Sequence, residues 1–370
     1  MNFTISIFGD FAKFRYGKMP KKSSIKENGK YPIYSGYRYV GYCDEYNTEA
    51  NQLIIVARGV GGTGDVKLTR EKCYLTNLSI SAEIDSNVAI PQYLYYYFSM
   101  RNLRYLDSGS AQSQITISDL EKVRIPLPNI ESQKKIVHCL SLTDNKISAN
   151  ESINNNLEQQ AKAIFSNEFL TLETLPDGWK QASLIDIADY LNGLAMQKYR
   201  PTADETGIPV LKIKELRQGC CDDNSELCSP SIKSEYIIHD GDVIFSWSGS
   251  LIVDFWCGGI CGLNQHLFKV TSNKYNKWFY YAWTKHHLDR FIAVAADKAT
   301  TMGRIKRDEL SKAEVLIPNE ADYKRIETLL QPIFDLIITN RIENKKLAET
   351  RDALLPKLMS GELDVSNIEL

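Results

Sequence analysis

The 370-residue chain has no apolar run approaching the roughly 18 residues that a bilayer-spanning helix needs. Its first residues, MNFTISIFGDFAKF, lack the charged, then apolar, then small-residue order of a secretory signal. Both absences point to the cytoplasm, so the eight cysteines count as thiols rather than a disulfide framework. Catalytic signatures are missing too. There is no Asp/Asn-Pro-Pro-aromatic methylation motif and no Gly-x-x-x-x-Gly-Lys-Ser/Thr phosphate loop. Strong charge of one sign is also absent, the formal net charge being −2.

What is there is ordinary globular material, 43% hydrophobic and 24% charged, long enough for two or three domains. The charge is unevenly spread. Residues 1–129 carry +4 (16 basic, 12 acidic) and residues 130–175 carry −2 (4 and 6). Residues 176–319 carry −1 (17 and 18) and residues 320–370 carry −3 (7 and 10). A +4 segment is a weak electrostatic footprint, so any binding to DNA would be assisted by partners.

The chain repeats itself. Residues 115–169 align without a gap on 305–359, pairing Ile115/Ile305, Pro128/Pro318, Asn129/Asn319, Ile136/Ile326, Leu140/Leu330, Asn150/Asn340 and Asn154/Asn344. The starts of the copies match as well. FGDFAKFRYG (8–17) resembles LIDIADYLNG (184–193), sharing Asp10/Asp186, Ala12/Ala188 and Gly17/Gly193. The offset is 176 there and 190 later, so the second copy holds a net insertion of about fourteen residues, expected in the Cys- and Asp-rich stretch 218–230. A period of this size is a duplicated domain rather than a solenoid.

Each copy has a mixed first part and a helical second part. QLIIVARG, GYRYVGY, DGDVIFSW and HLFKV read as strands from their β-branched and aromatic content. PQYLYYYFSM and KWFYYAWTKHHL read as short helices. The joint is written twice, as RIPLPN (124–129) and VLIPN (315–319), where proline favours extended backbone and Asn129 and Asn319 suit the N-cap. Asp322 follows where the helix dipole favours a carboxylate, and Gly361 is the natural stop of the second helix.

Both helices carry an a/d seam. The first runs Ile136, Leu140, Thr143, Ile147, Asn150, Asn154, Leu157, Ala161 and Ile164; the second runs Ile326, Leu330, Ile333, Ile337, Asn340, Asn344, Leu347, Arg351 and Leu354. At about 38 residues each helix would be roughly 57 Å long. A helix with such a stripe needs a partner, and its own copy is the natural one, paired antiparallel about a pseudo-two-fold. Asn150, Asn154, Asn340 and Asn344 would then meet mid-coil and fix register. The alternative is that the seam drifts and these asparagines lie on the surface.

These segments resemble the specificity subunit of type I restriction–modification systems. The resemblance covers essentially the whole chain. It is carried by LPDGWKQASLIDIADYLNG (175–193), DVIFSWSGSLIVDFWCGGICGLNQHLFKV (242–270), the two joint-plus-helix segments and the tail RDALLPKLMSGELDV (351–365). It implies an α+β protein in which two duplicated target recognition domains are separated by two long helices in an antiparallel coiled coil. The corresponding divisions are domains at 1–129 and 173–319, helices at 130–172 and 320–360, and a tail at 361–370. Each domain would read half of a bipartite DNA target. The implied partners are double-stranded DNA, two methyltransferase subunits and motor-nuclease subunits. S-adenosylmethionine, ATP and magnesium would belong to those subunits, leaving this chain without cofactor, metal, membrane or catalytic residue. One departure is that the first copy lacks a counterpart of LPDGW, so its opening strand is expected to be short or its start trimmed. A fused or stand-alone restriction–modification enzyme, or a coiled-coil scaffold that binds no DNA, are the other readings.

Three sharper patterns are set aside. Gly59-x-Gly61-x-x-Gly64 follows a strand as a dinucleotide loop would, but VKLTREKCYLTNLSIS after it reads as turn and strand where that loop needs a helix. Cys220, Cys221, Cys228, Cys257 and Cys261 lack paired Cys-x-x-Cys spacing for zinc. His286 and His287 have no carboxylate or nucleophile arranged beside them for acid–base work.

For DNA contact the useful side chains are Arg and Lys to guanine or phosphate, and Asn and Gln to adenine. Candidates in the first copy are Lys18, Lys21, Lys22, Tyr34, Arg58, Gln112 and Gln114. In the second they are Lys198, Arg200, Lys212, Lys214, Trp247, Ser248, Lys298, Thr300, Thr301 and Arg304. SGSAQSQ (108–114) and DKATTMGR (297–304) hold equivalent places before the joint.

Overall fold

A computed structural model describes residues 1–36, 38–59, 62–107, 114–297 and 307–369. The chain divides into two compact units: Met1–Asn145 with Glu349–Leu370, and Lys146–Ala348.

The first unit opens with β1 (Phe3–Ile7), the single turn α1 (Phe8–Phe11) and β2 (Ala12–Tyr16). There follow β3 (Tyr31–Ser35), β4 (Arg38–Cys43), β5 (Leu53–Val56), β6 (Val66–Leu68), β7 (Tyr74–Leu75) and β8 (Ser79–Ile84). Then come α2 (Pro91–Met100), the turn α3 (Ile117–Leu120), β9 (Arg124–Pro128) and the start of α4 (Ile130–Phe165). The strands form sheets of order β2-β8-β5-β6 and β4-β3-β7, with β1 and β9 pairing separately. The core is aromatic and aliphatic: Phe8, Leu53, Ile55, Ile80 and Tyr93 are fully buried. Burying each such side chain contributes about 1.5–3 kcal/mol. Leu355, Leu358, Met359 and Val365 close the same core.

The second unit repeats the plan with β10 (Lys180–Ser183), α5 (Leu184–Ile187), β11 (Asp189–Asn192), β12 (Ile208–Leu211), α6 (Ile213–Gln218), β13 (Leu227–Cys228) and β14 (Ile237–Ile238). It continues with β15 (Val243–Ser246), β16 (Ile252–Phe255), β17 (Cys261–Leu263), β18 (Leu267–Thr271), α7 (Lys277–His286), α8 (Leu288–Asp297), α9 (Arg307–Ser311), β19 (Glu314–Ile317) and α10 (Glu320–Ser360). Its sheets run β11-β18-β15-β16 and β13-β12-β17-β14, with β10 and β19 paired. The start of β3 is 177 residues from that of β12, whereas β5 and β15 start 190 apart. The insertion therefore lies between β12 and β15, a span that includes 218–230.

The glycines shared by the copies mark close backbone approaches. A Cβ on Gly17 would lie 2.3 Å from the Thr76 carbonyl oxygen, and one on Gly193 would lie 2.3 Å from that of Asn264. The loop holding Gly59 and Gly64 joins the antiparallel strands β5 and β6, so no helix follows it. The opening strand of the first copy, expected to be short, has five residues against four in β10. Its register with β9, from Phe3 opposite Pro128 to Ile7 opposite Arg124, supplies the pairing that lengthens it.

Both joint asparagines cap their helices. The Ser132 amide donates to Asn129 Oδ1 at 2.8 Å and the Asp322 amide to Asn319 Oδ1 at 2.9 Å. The first long helix gives way to a π-helical turn at Ser166–Leu170, inside the range expected to be one uninterrupted helix. Gly361, with φ of +79°, ends α10 in the left-handed region that glycine tolerates.

Within the second unit α4 and α10 pack antiparallel, and the seam asparagines are inside rather than on the surface. Asn150, Asn154 and Asn340 are buried. Asn150 Nδ2 donates to Asn344 Oδ1 at 2.8 Å and to Glu343 Oε2 at 2.7 Å, and Asn154 Nδ2 donates to the Ile337 carbonyl at 3.3 Å. Arg341 reaches Glu158 on α4 at 2.9 Å and Asp254 on β16 at 2.7 Å, tying both helices to the sheet.

Candidate nucleic-acid interface

Strand register decides where the loops emerge. In the first unit Tyr16 lies opposite Ile80, and Val56 lies opposite Ser79. The end of β2, the end of β5 and the start of β8 therefore share one edge of the sheet. The parallel pair β3–β7, with Tyr34 opposite Leu75, brings the end of β3 to the same edge. Tyr34 and Arg58 sit on or beside these ends, the Lys18 amide donates to the Leu75 carbonyl at 3.0 Å, and Lys21 and Lys22 lie farther along the connection that follows β2. Arg58 forms an isolated antiparallel bridge with Gln114, which joins the group. Lys18, Lys21, Lys22 and Arg58 are exposed. Tyr34 is half-buried against Ile54, Cys73 and Leu75, and that burial, reinforced by Glu71, raises its phenol pKa.

The second unit repeats the geometry. Asn192 lies opposite Phe268 and Ser246 opposite Leu267, while parallel β12 and β17 end together at Leu211 and Leu263. Lys212, Lys214, Trp247 and Ser248 follow these strand ends, Arg200 is joined to Lys212 through Glu226, and Lys198 lies in the connection between β11 and β12. A cleft of about 460 Å³ there is lined by Gln197, Arg200, Lys212, Lys214, Gln265 and His266, among others. A second cleft is lined by Asn192, Trp247, Phe268 and Arg307. Between them Ser248, itself buried, contacts His266 Nδ1 through its hydroxyl at 3.1 Å, and Trp247 Nε1 donates to Asn192 Oδ1 at 3.0 Å.

The two edges differ in electrostatics. Arg200 and Lys212 share the carboxylate of Glu226, and Lys214 holds Asp222 at 3.0 Å. Both carboxylates have depressed pKa values, Glu226 through Lys212 first and Asp222 through Lys214 first. Among the described residues Lys18, Lys21 and Lys22 pair with no carboxylate. Gln112, Lys298, Thr300, Thr301 and Arg304 lie outside the described residues.

Comparison with known proteins settles the family. The model for the type I restriction modification DNA specificity domain matches twice, over residues 2–159 and 176–349. The chain belongs to this family. Similar relatives include the MjaIX specificity subunit of Methanocaldococcus jannaschii, 28% identical over 325 residues, covering 79% of this chain and 74% of that one. The MjaVIII specificity subunit of the same organism is 22% identical and covers 97% of this chain and 92% of its own. The S subunit from M. genitalium shares the fold, with a TM-score of 0.67 over 96% of each chain at 18% identity. No helix among the described residues is long and apolar enough to cross a membrane.

In this specificity-domain chain several edge residues escape sequence reasoning: Asn77, Asn192, Gln197, Asn264, Gln265 and His266. The available signal was polarity, since TNL (76–78) and NQH (264–266) interrupt buried strands. The set-aside residues have structural surroundings. His287 is buried and its ring donates to the Glu314 carbonyl at 2.8 Å, and His286 packs on Phe165 and Trp283. All eight cysteines are free thiols, and burial pushes Cys257 up to about 11. Among the described residues no group of three or more His, Cys, Asp and Glu is placed to hold a metal.

Proposed function

We propose that this protein is the non-catalytic DNA-recognition subunit of a type I restriction–modification complex. Each mixed domain, 1–129 and 173–319, reads one half of a bipartite, gapped target. The helices α4 and α10 set the spacing and dock two methyltransferase subunits. Adenine methylation with S-adenosylmethionine, and ATP-driven cleavage, belong to partner subunits working with it in the cytoplasm. The observation that carries this reading is the duplicated edge: two copies of one fold bring cations, amides and an indole to the same strand ends. Long polar side chains on loops fixed by a sheet are the means by which proteins contact phosphates and base edges.

The test is to express the chain with its methyltransferase partner, select binding sites from randomised DNA, and sequence the methylated positions. Two short half-sites separated by a fixed gap are expected, with affinity falling steeply as salt rises. A continuous motif sinks the two-reader reading. Removing one heptad from each helix should change the gap and leave the half-sites intact; an unchanged gap counts against the spacer role.

A further inference from the structure

The two edges share one feature more specific than their cations. β7 is joined to β8 by a three-residue turn, Thr76-Asn77-Leu78, and β17 to β18 by its counterpart, Asn264-Gln265-His266. Both turns are held alike from two sides. The amides of Gly17 and Lys18 donate to the carbonyls of Ser79 and Leu75, and those of Gly193 and Leu194 donate to Leu267 and Leu263. On the other side, the Ala57 amide donates to the Leu78 carbonyl at 2.9 Å, and the Trp247 amide to the His266 carbonyl at 3.4 Å.

The first residue of each turn is buried polar and spent on the fold. Thr76 Oγ1 donates to Ser35 Oγ at 3.2 Å, and Asn264 Oδ1 accepts from the His266 amide at 3.3 Å. The middle residue is a carboxamide in both copies, Asn77 exposed and Gln265 half-exposed. Gln265 has an orienting neighbour: its Nε2 lies 3.4 Å from His266 Nε2, while His266 is tied at Nδ1 to Ser248.

We infer that Asn77 and Gln265 are paired adenine readers, one for each half-site, with His266 positioning the Gln265 amide. A carboxamide offers an acceptor and a donor spaced for N6 and N7 of adenine in the major groove. A turn clamped by main-chain bonds on both sides holds that amide without the ordering cost of a free loop. This rests on the proposed DNA-reading function and adds the base and the residues.

The experiment uses the chain with its methyltransferase partner, and selection from randomised DNA by binding. In N77A, the preference for adenine at one position of one half-site should fall by about tenfold or more. Q265A should do the same in the other half-site only, leaving the first half and the gap as controls. Q265E should shift that position toward cytosine, whose N4 amino group a carboxylate accepts. H266A should relax the same position as Q265A and no other. Unchanged half-sites in N77A and Q265A overturn the inference while a gapped wild-type site leaves the proposed function standing. Relaxation of both variants in the same half-site also overturns it. A wild-type site without a gap overturns both.

Discussion

Asn340 Nδ2 donates to Asn154 Oδ1 at 2.9 Å inside the α4–α10 pair, where both residues are buried. The duplication makes Asn340 the counterpart of Asn150 and Asn344 that of Asn154, so the bond joins two different seam positions. One layer along, Asn150 and Asn344 repeat the contact at 2.8 Å. A buried amide tolerates only a partner that satisfies it, so a helix slip would strand polar atoms that leucine would not. Asn154→Leu alone should therefore destabilise the second unit by about 1–3 kcal/mol, because Asn340 loses its acceptor. Replacing Asn150, Asn154, Asn340 and Asn344 together with Leu should raise the melting temperature. The same variant should broaden the gap between methylated half-sites. A gap as uniform as the wild type's would mean that the layer does not set register.

Gly17 and Gly193 make a second prediction, on packing. A methyl group at either site would press on a carbonyl oxygen at 2.3 Å, with further backbone atoms within 2.7 Å. Nothing there is a flexible side-chain end, so the strand must shift. Gly193→Ala should cost about 1–3 kcal/mol and displace the Asn264–His266 turn. Urea unfolding measures the first effect and the binding-site preference of the second half-site the second. Wild-type values for both would show that the approach is looser than its distances imply.

His287 makes a prediction about pH. Burial holds its pKa below the ordinary value, with neighbouring Arg290 and any charge on His286 adding to the effect and the Glu314 carbonyl opposing it. Burial also lowers that of His286. The folded rings stay neutral where the unfolded chain, with pKa near 6.5, already takes up protons. Their contribution is complete above about pH 6.5 and is lost as pH falls from there toward the folded values. Stability of the second unit should decline between about pH 7 and pH 5, by at most about 1.4 kcal/mol per pH unit for the buried His287 ring and by less for His286, which is exposed and screened by solvent. Urea midpoints across that range should flatten in the His286→Gln, His287→Gln variant. An equally steep decline there would assign the loss to other groups.

What could be read in advance follows from the range of the interactions. The long helices were legible because seam, cap and stop are local signals, and Asn129, Asn319 and Gly361 act as their positions predict. The duplication was legible from identities, including Gly17 and Gly193, although the reason for those glycines was not. The edge was not legible. It depends on which strand lies beside which, and Tyr16 meets Ile80 across 64 residues. The same is true of charge: Lys212 and Arg200 were candidates as free cations, but Glu226, fourteen and twenty-six residues away, takes both. Asn77 and Gln265 were overlooked because a three-residue turn between two buried strands resembles an interrupted single strand.

The unequal pairing of cations gives the last prediction. Each Lys or Arg that replaces a phosphate counterion adds about 0.9 to the slope of log affinity against log salt. Lys18, Lys21 and Lys22 are exposed and unpaired among the described residues, so the first domain can displace counterions at no cost in broken ion pairs. The Lys18→Ala, Lys21→Ala, Lys22→Ala variant should flatten the slope by up to about 3. In the second domain Arg200 and Lys212 must first be drawn from Glu226 toward an incoming phosphate. Replacing Arg200 alone should therefore change the slope by less than one contact. Glu226→Gln should do the reverse, steepening the slope and tightening binding to unrelated sequences at low salt. Affinity titrations of the complex from about 50 to 200 mM salt would separate these outcomes. Equal losses of slope from the triple variant's lysines and from Arg200, each near a full contact, would show that the Glu226 pairs open without cost and that the two domains hold phosphate alike.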